Sequence, residues 1–155
     1  MSKSFGGRWR DERLDDLLAS VVLHPRLRAL VEAPLVRKAG SLSLEPLVAN
    51  ATGPEALHDR TGYEAFLNKV HVEDFIDDTG GGEPLGTLIR QGVKAAVELS
   101  RRLESEGRFR VLLSLDPDLP TMTLRFFGRR DGEAWGAEDP DAFQLEEVLM
   151  IDTGS

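Results

Sequence analysis

The sequence predicts an α+β fold, and three observations carry that prediction. Residues 85–106 repeat apolar side chains at helical spacing. Residues 108–127 alternate with a period of two on both sides of a proline-bearing turn. Between these elements and the N-terminal half stands Asp77-Asp78-Thr79-Gly80-Gly81-Gly82-Glu83-Pro84. Three consecutive glycines hold regular structure only at a high entropic cost, so this stretch reads as a loop or hinge. The expected architecture is a helical N-terminal half, then a long amphipathic helix packed on a three- or four-stranded antiparallel sheet. The expected divisions are a disordered tail over 1–10, a helical region over 11–76, the Gly-rich loop over 77–84, and helix plus sheet over 85–155. The two halves are compatible with a single domain.

The elements follow in order. A helix is expected from Asp11, with Leu14, Leu17, Leu18, Val21 and Val22 at helical spacing. It should stop near His24, because Pro25 disfavours a helical residue before it. Pro25 suits the first position of a second helix, whose stripe is Leu27, Leu30 and Val31 and which Pro34 ends. Gly40, Ser41, Ser43, Pro46, Gly53, Pro54 and Gly62 then punctuate the chain. Short helical pieces are expected around 46–51 and 54–59, and a longer helix from Tyr63 to Phe75 with Phe66, Leu67 and Val70 on one side.

The long helix carries Leu85, Leu88, Ile89, Gly92, Ala96, Leu99 and Leu103 on one stripe. Pro84 suits its first turn and Gly107 its C-terminal cap. Gly92 and Ala96 in mid-stripe imply a close neighbour at the helix backbone. Arg90, Glu98, Arg101, Arg102 and Glu104 are placed on the wetter side. Phe109, Val111, Leu113 and Leu115 then alternate with Arg108, Arg110, Leu112 and Ser114. After a turn at 116–120, Met122, Leu124 and Phe126 do the same. Clean alternation implies a sheet with one buried face. Asp131-Gly132 signals a tight turn, so a further strand is expected over 133–136, a short helix opening at Asp139-Pro140, and a closing strand from Val148 to Asp152.

A chain of 155 residues is long enough to bury a substantial core. It has no cysteine, which excludes disulfides and thiolate metal sites. The N-terminus lacks an apolar signal region and no apolar run has membrane-spanning length; the expected location is the cytoplasm, with no membrane partner. The basic residues are mostly arginine, which fits a GC-rich bacterial genome. Net charge is −8. Residues 116–152 hold ten acidic and three basic residues, so ten minus three places seven of those eight charges there. That excess disfavours nucleic acid, whose phosphates demand Lys and Arg. It serves solubility, and it suits a basic partner.

No constellation specifies catalysis. The Gly-rich loop lacks both GxxxxGK[ST] and GxGxxG, and Asp77, Asp78 and Glu83 would repel a phosphate. These three acids also lack the spacing of an EF-hand loop, so neither metal nor cofactor is expected. His24, His58 and His71 show no ligand spacing. His24 sits at a helix boundary, where a capping or a surface role is expected. His58 and His71 lie near Asp59, Glu73 and Asp74, a pairing that could serve a general base, but no nucleophile motif accompanies it. Arg108, Arg110 and Arg125 fall on the polar face of adjacent strands, with Arg129 and Arg130 beyond. They either gather into an anion-binding patch or, more ordinarily, pair across strands with Glu133, Glu146 or Glu147. Trp135, beside Glu138, Asp139 and Asp141, either closes the core or anchors an interface.

Two readings follow, with no assigned catalytic residue. In the first, the chain is a non-catalytic acidic protein-binding module, of the kind represented by bacterial inhibitor or immunity proteins, in which Glu138, Asp139 and Asp141 steer a basic partner and Trp135 is buried on binding. In the second, it is a small enzyme whose cleft between the halves takes an anionic substrate on Arg108, Arg110 or Arg125, with His58 or His71 as base. A homodimer is compatible with both.

Overall fold

The computed structural model describes residues 18–38, 40–48, 64–65, 67–76, 84–116, 118–131 and 147–154. Within them the order is α1 (Pro25–Val31), β1 (Leu35–Lys38), β2 (Ser41–Leu44), α2 (Glu45–Val48), β3 (Lys69–His71), a 3-10 turn (Val72–Phe75), α3 (Pro84–Leu103), β4 (Phe109–Asp116), β5 (Thr121–Gly128) and β6 (Glu147–Thr153). Helices and antiparallel sheets are mixed, which makes the fold α+β.

The main sheet has four strands in the order β3-β5-β4-β6, each pair antiparallel. Its centre is the β4–β5 hairpin, paired from Phe109↔Gly128 to Asp116↔Thr121. The Asp116 carboxylate accepts the backbone N–H of Asp118 at 3.0 Å and helps the chain turn. The register puts Val111, Leu113 and Leu115 in rows with Phe126, Leu124 and Met122, and all six are buried.

Helix α3 contacts β4, β5 and β6, and it contacts α1 as well. At Gly92 the approach is closest. A Cβ built there would lie 2.0 Å from Met122 Sδ and 3.4 Å from Leu113 Cδ1, so the sheet's side chains occupy the space a larger residue would need. Gly107, with φ 130, lets the chain turn from α3 into β4 through a conformation closed to most residues. One continuous core cluster includes Leu27, Leu30 and Val31 of α1, Leu42 and Leu44 of β2, Leu99 and Leu103 of α3, and Val111 and Phe126 of the sheet.

Polar side chains of α3 fasten the segment before it. Gln91 accepts the His24 N–H through Oε1 and donates to the Val22 carbonyl through Nε2, both at 2.8 Å. Arg102 Nη1 donates to the carbonyls of Val31 and Ala33, at the C-terminal end of α1. The Val31 carbonyl is one that a helix end leaves unsatisfied, and that of Ala33 lies just past the cap. Arg102 is therefore half-buried rather than on the wet side.

Four expectations need correction. The N-terminal half is not simply helical: it contains the β1–β2 hairpin and contributes β3 to the main sheet. Helical backbone near Leu18 gives way at Ser20, not His24, and Val22 is 78% exposed; residues 21–24 are irregular, with Gln91 bonded to the Val22 carbonyl and the His24 N–H. Helical backbone at Glu64, Ala65 and Leu67 gives way at Asn68, and Val70 packs as part of a strand. Finally, the sheet buries apolar residues on both faces. Leu112, Val148 and Met150 form a second cluster on the face that carries Arg110 and Asp152. The expected helices at 11–17 and 54–59, the strand at 133–136, the helix at Asp139 and the loop at 77–83 lie outside the described residues.

Candidate functional site

The β4–β5–β6 register determines where the arginines meet their partners. Arg110 and Asp152 are directly opposed on neighbouring strands. Arg110 Nε donates to Asp152 Oδ1 at 2.7 Å, and its Nη2 donates to Oδ2 at 2.9 Å. This is the two-pronged geometry in which guanidinium and carboxylate match best. Arg129, just past the end of β5, comes within 3.8 Å of the same carboxylate. Arg108 reaches Asp131 at 3.7 Å. Arg125 stands opposite Leu112 on one side and Lys69 on the other, and it too has an interaction partner.

Cross-strand pairing is thus the arrangement at Arg110, but with Asp152 rather than the acids expected. Glu133 and Glu146 lie outside the described residues. The register puts Glu147 opposite Leu115, near the far end of β4 from Arg110. For ligand chemistry this matters directly: an incoming anion would have to displace Asp152 from two aligned hydrogen bonds at Arg110.

A second polar cluster escaped the sequence reading. Glu64 is completely buried. Its Oε2 accepts the Leu42 N–H at 2.9 Å, and its Oε1 accepts the Gly128 N–H at 3.1 Å together with a short contact from Arg130 Nη1. One helical turn later, the buried Asn68 donates through Nδ2 to the carbonyls of Leu42 at 2.9 Å and Phe126 at 3.3 Å. The two side chains serve both backbone groups of Leu42 on β2 and link them to the end of β5. A buried charge persists only when paired and hydrogen-bonded, and this one is. Its partners are 22, 64 and 66 positions away, so no local spacing rule reveals it; the one visible trace is a Glu and an Asn four apart on a helical turn.

The histidines divide. His24 Nδ1 accepts the Arg26 N–H at 3.3 Å, so His24 caps α1. His71 Nδ1 lies 3.7 Å from Glu73 Oε1, while the other oxygen of Glu73 accepts the Met122 N–H at 3.0 Å. Both side chains are partly exposed. His58 lies outside the described residues, as do Trp135, Glu138, Asp139 and Asp141. Among the described residues, no group of three or more His, Asp or Glu is placed to hold a metal ion, and no helix is long and apolar enough to cross a membrane.

The model of one family, described as the Uncharacterized protein PM0498 family, matches residues 10–155, and the chain belongs to that family. No curated protein and no solved structure matches the chain.

Proposed function

We propose that this member of the PM0498 family is a non-catalytic, acidic protein-binding module of the cytoplasm, of the inhibitor or immunity type, for a basic partner. In this reading the long helix laid on the sheet is the scaffold. Glu138, Asp139 and Asp141 draw the partner in, and Trp135 is the residue buried on contact. The supporting observation is the commitment of the arginines. Arg110 is held bidentately by Asp152, and Arg108, Arg129 and Arg130 lie within ion-pair range of Asp131, Asp152 and Glu64. Arg129 and Arg130 are two of the three basic residues in the acidic stretch 116–152. With those groups engaged inside the molecule, the negative excess of that stretch is the feature left for a partner to read. Charge complementarity acts mainly on encounter rate and specificity, and it is screened by salt.

The test is affinity capture from the source organism's lysate at low and high salt, using the wild-type chain and a Glu138→Lys/Asp139→Lys/Asp141→Lys variant. A basic protein held by the wild type at low salt, released at high salt and lost by the variant supports the reading. Equal capture by both chains, at either salt, refutes it.

The enzyme reading retains one observation of its own, the His71–Glu73 pair at the edge of the sheet. It requires an anion to bind nearby. Chemical-shift perturbation of His71 by small phosphates or carboxylates would support it, and resonances of His71 and Arg110 unmoved by such compounds would remove it.

A further inference from the structure

The β1–β2 hairpin belongs to neither the main sheet nor a helix layer. Among the described residues its two strands pair only with each other, from Leu35↔Leu44 to Lys38↔Ser41. Its base is closed by its own hydrogen bond, from the Glu45 N–H to the Pro34 carbonyl at 2.9 Å. Just before that base, Arg102 fixes the carbonyls of Val31 and Ala33 to helix α3. The hairpin is therefore a closed unit on an anchored root.

Its far side is fastened to the main sheet through side chains instead of a ladder. Strand β3 covers β5 only from Thr123 to Arg125. Beyond that, Glu64 and Asn68 stand where another strand would, bonding Leu42 on one side and Phe126 and Gly128 on the other. We propose that the hairpin is a strap held shut by this Glu64–Asn68 latch, and that it opens as a unit while the four-stranded sheet stays folded.

Three features make the seam the weak line. Every recorded contact of the Glu64 carboxylate is with a donor: two backbone N–H groups and the Arg130 guanidinium, the one charged group set against it among the described residues. A neutral side chain in its place brings a hydrogen of its own into that ring of donors, and at least one bond must break. Next, Asn68 Oδ1 and Ser43 Oγ are buried without a hydrogen-bond partner among the described residues. Buried polar atoms left so raise the energy of the closed state, and Asn68 lies in the latch while Ser43 lies on the strand it holds. Last, the tie from Arg37 to Glu106, an ion pair at 3.5 Å with a hydrogen bond from the same guanidinium to the Glu106 carbonyl at 3.3 Å, is exposed and of a kind that holds weakly. Opening would uncover Leu42 and Leu44, which are 2% exposed when shut.

The experiment is native-state hydrogen exchange on the full chain, across a series of sub-denaturing urea concentrations, with Glu64→Gln as the variant and Asp152→Asn as a control ion-pair loss. The expected result is that the amides of Leu42 and Leu44 exchange through an opening with little urea dependence, while Val111 and Leu113 exchange only through global unfolding. Glu64→Gln should speed exchange at Leu42 and Gly128 by about tenfold or more, the loss expected for a hydrogen bond to a charged group, and should speed Val111 and Leu113 by no more than the same factor, because the lost bond is also absent from the globally unfolded chain. Asp152→Asn should leave Leu42 unchanged. If Leu42 and Val111 share one opening in the wild type, the strap does not exist. That wild-type comparison decides the matter even if Glu64→Gln does not fold.

Discussion

At the scale of single residues, Gly92 and Arg102 carry the sharpest consequences. Gly92→Ala adds a methyl where Met122 Sδ already stands 2.0 Å away. Alanine gains about 1 kcal/mol in helix propensity, but overpacking a filled core costs about 1–3 kcal/mol. Urea denaturation should show a net loss of about 1 kcal/mol. A gain of similar size would mean that Met122 moves aside freely. Arg102→Ala removes the donor that serves the carbonyls of Val31, the last residue of α1, and Ala33, just past its cap. Hydrogen bonds from charged groups contribute about 1.5–3 kcal/mol, so a loss of about 2 kcal/mol is expected in the same assay, and no loss would show that water replaces the guanidinium. The small size of Gly92 was legible in the sequence because its neighbours on the stripe are all larger or apolar. The role of Arg102 was not, because its acceptors are backbone carbonyls 69 and 71 positions away and carry no side-chain signature.

At the scale of elements, period and punctuation located α1, α3, β4, β5 and β6 within a few residues of their observed ends. Each has a strong pattern of its own. The elements that went unread are those whose identity depends on a neighbour. β2 reads Ser-Leu-Ser-Leu and is buried throughout, so its serines looked like loop residues until the main core covered them. β3 is three residues long and follows directly on a helical turn. The second apolar face of the sheet is written in Leu112 and in the run Val148–Ile151, where apolar residues occur at successive positions rather than alternate ones. Such runs mark strands covered on both faces. Accordingly Val148→Ala should cost about 2 kcal/mol, as a buried truncation does, and a change within about 0.5 kcal/mol, typical of a surface site, would contradict two-sided burial. A double-mutant cycle on Arg110 and Asp152 should give a coupling of about 1 kcal/mol, the upper range for a pair that is partly exposed but aligned at both prongs. The corresponding cycle on Arg129 and Asp152, at 3.8 Å, should give a smaller value.

At the scale of the molecule, the distribution of charge was legible from composition, and its use was only half so. The sequence places five arginines together and offers two arrangements for them, a patch that faces an anion or, more ordinarily, cross-strand pairs with acidic residues. The strand register answers this for Arg110, since it sets Asp152 directly across from it. What no count could show is that a fully buried carboxylate would take up Arg130. The acidic stretch around Glu138, Asp139 and Asp141 therefore remains the proposed contact surface, and the arginines become part of the framework that presents it. The measurement that bears most directly on this is the dissociation constant of the captured basic partner, titrated calorimetrically at ionic strengths from about 0.01 M to 1 M, a range over which the screening length falls from about 30 Å to 3 Å. The account predicts affinity that drops steeply as salt rises, and a weakened, salt-insensitive remainder in the Glu138→Lys/Asp139→Lys/Asp141→Lys variant; an affinity that is flat across that range in the wild type would contradict it.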